Sequence, residues 1–365
     1  MIIPIKPWLD LANGKTFPGE GSRVSAVRSG LVLSRDMDLD ELIAERVLSG
    51  DLFGFESNDR MEFYHEPILA QEILEAMQPV AGKQIFDGTL GGGGHAELLL
   101  QNGAHVIGCD QDRDAIDHAQ LRLAAYEDAF LPVRGNFRDM DRILADLGIG
   151  TVDGILLDLG VSSRQLDNPE RGFSFREDGP LDMRMDDRAG LTAAELVNTW
   201  EEKELIRIFR EYGEEPRAAR VAREIVKSRE VKSIQTTFEL SQIVGRVIPK
   251  VSAKNPATKV FQAIRIAVNA ELEVLEVALE KAVSLLAPKG VLAVITFHSL
   301  EDRIVKRFMH RRSSPYVDRP EWSAPRANPE FCFHLPSRKA LAPDEAETKR
   351  NSRSRSAKLR VAIKA

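Results

Sequence analysis

The chain has 365 residues but only two cysteines, Cys109 and Cys332. Two thiols cannot frame a disulfide scaffold, and neither sits in a Cys-x-x-Cys or Cys/His cluster of metal spacing. A reducing compartment without structural zinc is the expectation. No apolar run reaches the roughly 20 residues of a membrane span, and residues 1–10 hold one lysine and no secretory core. This predicts a soluble, cytoplasmic protein with no membrane partner. A general excess of positive charge is also missing, since the formal net charge is -6. That argues against a protein that sticks to nucleic acid everywhere. The distribution is uneven, however. Over 303–365, sixteen Lys/Arg face six Asp/Glu, a net of +10 that leaves -16 for the rest. Such an end can meet phosphates, or it can be a solvated, partly disordered terminus.

The length allows one large catalytic domain with accessories. Residues 1–60 read as an N-terminal extension of unknown role, with an amphipathic helix over 36–48 and no chemical motif. From Gln84 onward short apolar strands alternate with helical stretches, the signature of parallel β-α-β units. Strands are expected over 84–87, 105–109, 129–133, 155–158 and 291–296, with helices over 96–101, 113–124 and 138–147. Nearly a hundred residues separate Asp158 from a long helix expected over 259–286, too many for a simple crossover. Residues 163–256 therefore read as an inserted helical subdomain, with helices over 192–210 and 216–228.

The most informative string is Ile85-Phe86-Asp87-Gly88-Thr89-Leu90-Gly91-Gly92-Gly93-Gly94-His95, which runs from a strand into a helix. Consecutive glycines let the backbone turn tightly against a ligand, and the N–H groups of the helix start favour an anion. A dinucleotide site wants glycine where Asp87 stands, because a carboxylate repels the pyrophosphate. An acid beside the loop instead suits the zwitterionic end of a methionine moiety. Asp110 closes the second strand about twenty residues on, where an acid can accept both ribose hydroxyls; capping the next helix is the competing use, with Asp112 also available. Phe137 follows the third strand and can pack on an adenine face or in the core. Asp158 ends the fourth strand at the carboxyl edge, where ligands of such sheets gather. The loop beyond it carries Arg171-Gly172-Phe173-Ser174-Phe175, a density of special residues that suggests it surrounds something. His298 ends the last strand and either touches substrate or serves structure, with Ser299 a candidate helix cap. Arg217, Arg220, Arg223 and Lys227 recur three or four apart, a face for phosphates or for water.

Several of these strings occur in an order that resembles the MraW family of bacterial ribosomal small-subunit RNA cytosine-N4 methyltransferases. They include His65-Glu66-Pro67-Ile68-Leu69, Asp87-Gly88-Thr89-Leu90-Gly91-Gly92-Gly93-Gly94-His95, Leu156-Leu157-Asp158-Leu159-Gly160-Val161-Ser162-Ser163, Phe297-His298-Ser299-Leu300-Glu301-Asp302-Arg303 and Ser354-Arg355-Ser356-Ala357-Lys358-Leu359-Arg360. The resemblance spans 62–365; the first sixty residues have no counterpart, and 312–335 departs from the pattern. It implies an α/β class I, Rossmann-like S-adenosylmethionine-dependent methyltransferase domain over 61–162 and 257–365, with the inserted helical subdomain (163–256) binding substrate. It further implies that Gly93, Gly94, His95, Asp110, Phe137, Asp158 and Gln165 contact the donor, alongside Asp87 and Gly91 from the loop reading. The implied substrate is a cytidine, position 1402, in the decoding region of 16S ribosomal RNA in the small ribosomal subunit. Arg171, Arg217 and Arg220 are the expected RNA contacts, and Asp158 and His298 the expected catalytic residues. Asp158 either accepts from the reacting amine or binds the donor beside it. The Asp/Asn-Pro-Pro-aromatic string of many amino-group methyltransferases is replaced here by Asp158-Leu159-Gly160-Val161. Two rivals remain on sequence grounds, a catalytically silent ribosome assembly factor and a nicotinamide-dependent dehydrogenase. Oligomeric state is open, a homodimer being one option.

Overall fold

The computed structural model describes residues 67–249, 255–318 and 320–365. The helix expected over 36–48 lies outside them. Five strands run parallel at the centre, β1 Gln84–Asp87, β2 His105–Asp110, β3 Phe130–Arg134, β4 Val152–Asp158 and β5 Leu286–Thr296. After a small hairpin of β6 Tyr316–Val317 and β7 Arg326–Ala327, strands β8 Phe333–His334 and β9 Lys358–Lys364 complete the main sheet in the order β3-β2-β1-β4-β5-β9-β8. Both are antiparallel. This is the Rossmann-like α/β arrangement expected. The chain moves outward in one direction from β1 to β3 and in the other from β4, so β1 and β4 flank the switch point where such sheets open a crevice.

Both faces of the sheet are covered. Helices α1 Ala70–Met77, α2 Gly94–Gln101 and α3 Arg113–Arg122 bury Ile73, Leu99 and Ile116 against Val106, Leu156 and Ile295 on one side. On the other, α4 Met140–Asp146 and two later helices, α11 Glu271–Leu285 and α12 Ser299–Ser313, pack Leu144, Leu279 and Phe308 against Phe86, Ile107 and Val294. Each such side chain withdrawn from water contributes about 2 kcal/mol, so the parallel strands read as nearly continuous apolar runs.

Between β4 and α11 lie α5 Ser163–Asp167, α6 Ala193–Thr199, α7 Glu202–Glu211, α8 Ala218–Val231, α9 Thr237–Val247 and α10 Thr258–Asn269. From α6 to α10 they share a core of their own, including Leu196, Phe209, Val221, Leu240 and Ile264. Reciprocal capping boxes start three of them, Ser162 with Gln165, Thr192 with Glu195 and Thr236 with Glu239, which satisfies otherwise orphaned N–H groups.

Two helices expected to be continuous are broken. The stretch 192–210 divides at Trp200, whose ψ of 146 is extended. The stretch 259–286 divides at Ala270, which adopts a left-handed φ of 49. Neither break carries glycine or proline. The basic end is also more ordered than a solvated tail: β9 pairs with β5 over six residues, and Lys358 and Arg360 both bind Asp302. Helix α13 Glu345–Arg350 precedes it and is tied to the start of α1 by Glu347 Oε1, which accepts from Leu69 N–H at 3.0 Å.

Candidate active site

A crevice of about 470 Å³ opens at the carboxyl ends of β1, β2 and β4, within the roughly 300–1,000 Å³ typical of small-molecule sites. Its wall includes Gly91, Gly94, His95, Asp110, Phe137, Asp158 and Gln165. Two of the expected donor residues stand behind that wall. Gly93 caps α2 with a left-handed φ of 78 and faces Leu123; it makes the turn that lets its neighbours line the crevice. Asp87 is 1% exposed, and its Oδ1 accepts from Thr89 N–H at 3.1 Å. It folds the loop onto β1 and is not among the residues of the crevice wall.

Asp110 is organised for a diol. Its Oδ2 accepts from Gly91 N–H at 2.8 Å and its Oδ1 from Asp112 N–H at 2.9 Å. Each carboxylate oxygen retains a second lone pair, so two hydroxyls can still be accepted. Burial raises its pKa to about 6, opposed by the bonds from Asp112 and Gly91. Asp112, rather than Asp110, caps α3, its Oδ1 accepting from Asp114 N–H.

A tight polar group stands deeper in the crevice. Thr89 Oγ1 accepts from Asp158 N–H at 2.6 Å, tying the glycine loop to the end of β4. The Asp158 Oδ1 atom is buried without a hydrogen-bond partner among the described residues, while Oδ2 lies 3.7 Å from His95 Nδ1. Burial, with a smaller push from the Glu301 charge, raises the Asp158 pKa to about 7. Burial likewise takes Asp87 to about 7. The His95 imidazole is held below its usual pKa by burial, against the pull of Asp87.

The helical side supplies residues that sequence reasoning passed over. Arg265 on α10 forms a bidentate pair with Glu271, 2.7 Å on both arms, across the break at Ala270. Asn269 donates to Met183 O and accepts from Met185 N–H, holding the loop before α6. Arg265, Asn269 and Glu271 all line the crevice, as do Glu301 and the segment 351–353. The available signal was weak, a charged and an amide side chain four apart in a helix that also carries Lys259 and Gln262.

Three expected site residues, one for substrate, one for catalysis and one for the donor, have other partners. Arg171 pairs with Asp112 at 2.8 Å and donates to Arg184 O, so its guanidinium binds the loop to α3 rather than standing free for phosphate. His298, not Ser299, is the N-cap of α12, accepting from Glu301 N–H, and its Nε2 lies 3.1 Å from Glu301 Oε1. It is absent from the crevice wall. Gln165 lines the crevice, its Oε1 accepting from Ser162 N–H and its Nε2 donating to Asp112 Oδ2, which leaves one N–H and one lone pair of the amide over. Arg217 lies half-buried at the start of α8, and Arg220 is exposed one turn on.

The model of the MraW methylase family matches residues 62–365. The chain belongs to that family. A ribosomal RNA small subunit methyltransferase H from Carboxydothermus hydrogenoformans is 50% identical over 307 residues, 83% of this chain and 99% of that protein. The protein of the same name from Syntrophotalea carbinolica is 48% identical over 308 residues, 83% and 98% of the two chains. Among solved structures, an rRNA methylase from Streptococcus thermophilus covers 80% of this chain and 92% of its own at 10% identity, with a TM-score of 0.36. The MraW match begins just beyond residue 60, leaving the N-terminal extension outside the family region.

The methyl donor of this MraW methylase is S-adenosylmethionine, and the crevice fits it. Asp110 retains the lone pairs a ribose requires, Phe137 offers an aromatic face in the same wall, and the unpartnered Asp158 oxygen awaits a donor. Among the described residues no helix is long and apolar enough to cross a membrane.

Proposed function

We propose that this protein methylates the exocyclic N4 of a cytidine, position 1402, in the decoding region of 16S ribosomal RNA, acting in the cytoplasm on the small subunit or its precursor. The names borne by its relatives support ribosomal RNA of the small subunit as substrate. The observation that carries the choice of an amino group is the buried, unpartnered Oδ1 of Asp158 in the crevice wall. An acceptor held dry at that point matches a nitrogen that must give up a proton.

When bound, S-adenosylmethionine supplies an electrophilic sulfonium methyl. The chain's residues bind and align. Asp110 accepts the ribose hydroxyls, Phe137 covers the adenine, and the glycine loop after β1 admits the methionine end. Alignment counts for most, because in-line attack needs the reacting atoms within about 3–3.5 Å. The cytosine amine is a poor nucleophile, its lone pair delocalised into the ring, and Asp158 accepts its N–H to localise that pair as attack proceeds. A base in folded RNA must be flipped or exposed to reach this depth. Arg217 and Arg220 on α8 hold the RNA backbone.

The test is methyl transfer from labelled donor to small subunits of a strain lacking the enzyme, followed by mass mapping of nucleosides. N4-methylcytidine at the one position is expected, and Asp158→Ala should lose turnover. Label on another base would remove the substrate assignment, and wild-type rates in the variant would remove Asp158.

A further inference from the structure

His95 lines the crevice, and its surroundings define its chemistry. The imidazole is 7% exposed in the first turn of α2. Its Nε2 lies 2.9 Å from Ile68 O. A carbonyl oxygen can only accept, so Nε2 carries the hydrogen and Nδ1 keeps a lone pair. A carboxylate oxygen, Asp158 Oδ2, lies 3.7 Å from that Nδ1. Lone pair facing lone pair is unfavourable while Asp158 is ionised, and favourable once Oδ2 carries a proton that Nδ1 can accept. The gap exceeds a hydrogen bond of about 2.7–3.0 Å, and catalytic contacts commonly tighten when substrate arrives.

We propose that His95 is a positioning residue, fixed as the Nε2–H tautomer by the Ile68 carbonyl, whose Nδ1 lone pair makes Asp158 the proton acceptor for the substrate amine. This rests on the amino-group reading of the site. The bond from N4 to the methyl carbon forms as the sulfur–methyl bond breaks, and sulfur keeps the electron pair. The N4 proton passes to Asp158 Oδ2, while Oδ1 accepts from the N–H that the amine keeps, and Nδ1 stabilises the resulting acid; the proton then leaves to water as product departs. No other co-reactant is needed. The charged groups around the pair act in known directions. Asp87 on β1 and Glu347 on α13 favour a protonated His95, but burial outweighs them and keeps the ring neutral. Glu301 on α12 adds to the proton affinity of Asp158.

The donor-free protein provides the first test. Nitrogen-15 NMR of the imidazole should show the Nε2–H tautomer through neutral pH, and carbon-13 NMR of the Asp158 carboxyl should show its titration moving to lower pH in His95→Gln. Gln retains a donor for Ile68 but offers no acceptor at the Nδ1 position. His95→Asn, whose amide oxygen can replace Nδ1, should restore the titration. In turnover, the acid limb of the kcat profile should move to lower pH in His95→Gln, and the plateau should fall about tenfold. An Nδ1–H tautomer, or an Asp158 titration unmoved in both variants, overturns the proposal even if one variant folds poorly, because the tautomer is read on the natural protein. If His95→Gln behaves as wild type while Asp158→Ala is dead, this inference fails and the functional reading stands; if Asp158→Ala methylates normally, that reading fails first.

Discussion

Gln165 donates its side-chain amide to Asp112 Oδ2 across 2.8 Å in a buried contact. The same oxygen receives Arg171 at 2.8 Å, and the other caps α3. One carboxylate therefore fastens three pieces of chain, the start of α3, helix α5 and the loop that follows. Asp112→Ala leaves the guanidinium of Arg171 with only the more distant Asp114 carboxylate, at 3.6 Å, and strips the cap from α3, a loss of about 3 kcal/mol. Chemical denaturation should show the drop, and protease should cut the loop around Arg171 faster.

Asp110→Asn tests the ribose role. An amide can accept at one position only, so either Gly91 N–H or Asp112 N–H loses its partner and one hydroxyl meets an N–H group. Two weakened charge-assisted bonds at about 1.5–3 kcal/mol each predict donor binding at least tenfold weaker by titration calorimetry.

Stability of the donor-free protein should fall as pH rises from about 5, above the range in which the acids with lowered pKa values act in the opposite sense, through 7. Asp87 and Asp158 titrate near 7 and Asp110 near 6 in the folded chain, raised by burial from 3.8. Over that window the folded state holds more protons than the unfolded one, so the contribution present at low pH is lost as pH climbs through the folded pKa values. His95, depressed from 6.5, acts in the opposite sense near neutrality, but it is one group against three. Urea midpoints measured across pH 5–8 check the slope. Replacing all three acids by their amides should flatten it.

Gly179→Ala should unfold the loop it closes. A Cβ built there stands 2.0 Å from Pro169 O, a backbone atom with no room to retreat. A cost of at least about 3 kcal/mol follows, read as a fall in thermal midpoint.

Neutralising Arg217 and Arg220 together should weaken binding to small-subunit RNA and reduce the slope of log K against log salt by about 1 to 2. An unchanged slope would leave α8 out of the interface.

Much of this architecture was visible in the residues because its determinants are local. Apolar strands, the glycine bend and the acids that end β1, β2 and β4 announce themselves within a few positions. What escaped notice depends on partners far along the chain. Arg171 reads as a free cation until Asp112 is seen across the fold, and His298 reads as a reactive group until Glu301 folds back beneath it. The breaks at Trp200 and Ala270 carry no glycine or proline; tertiary packing sets them. Strand β9 went unread, because its cations obscure the alternation of Leu359, Val361 and Ile363. In the crevice the donor wall was mostly foreseeable, whereas Arg265, Asn269 and Glu271 come from helices whose approach depends on how two cores meet.

That meeting has a mechanical side. Helix α10 is anchored among the insertion's apolar side chains and α11 among those beneath the sheet, with Ala270 alone between them. Any shift of the helical core would thus reach the Arg265–Glu271 clasp through a single residue, coupling its position to the shape of the crevice.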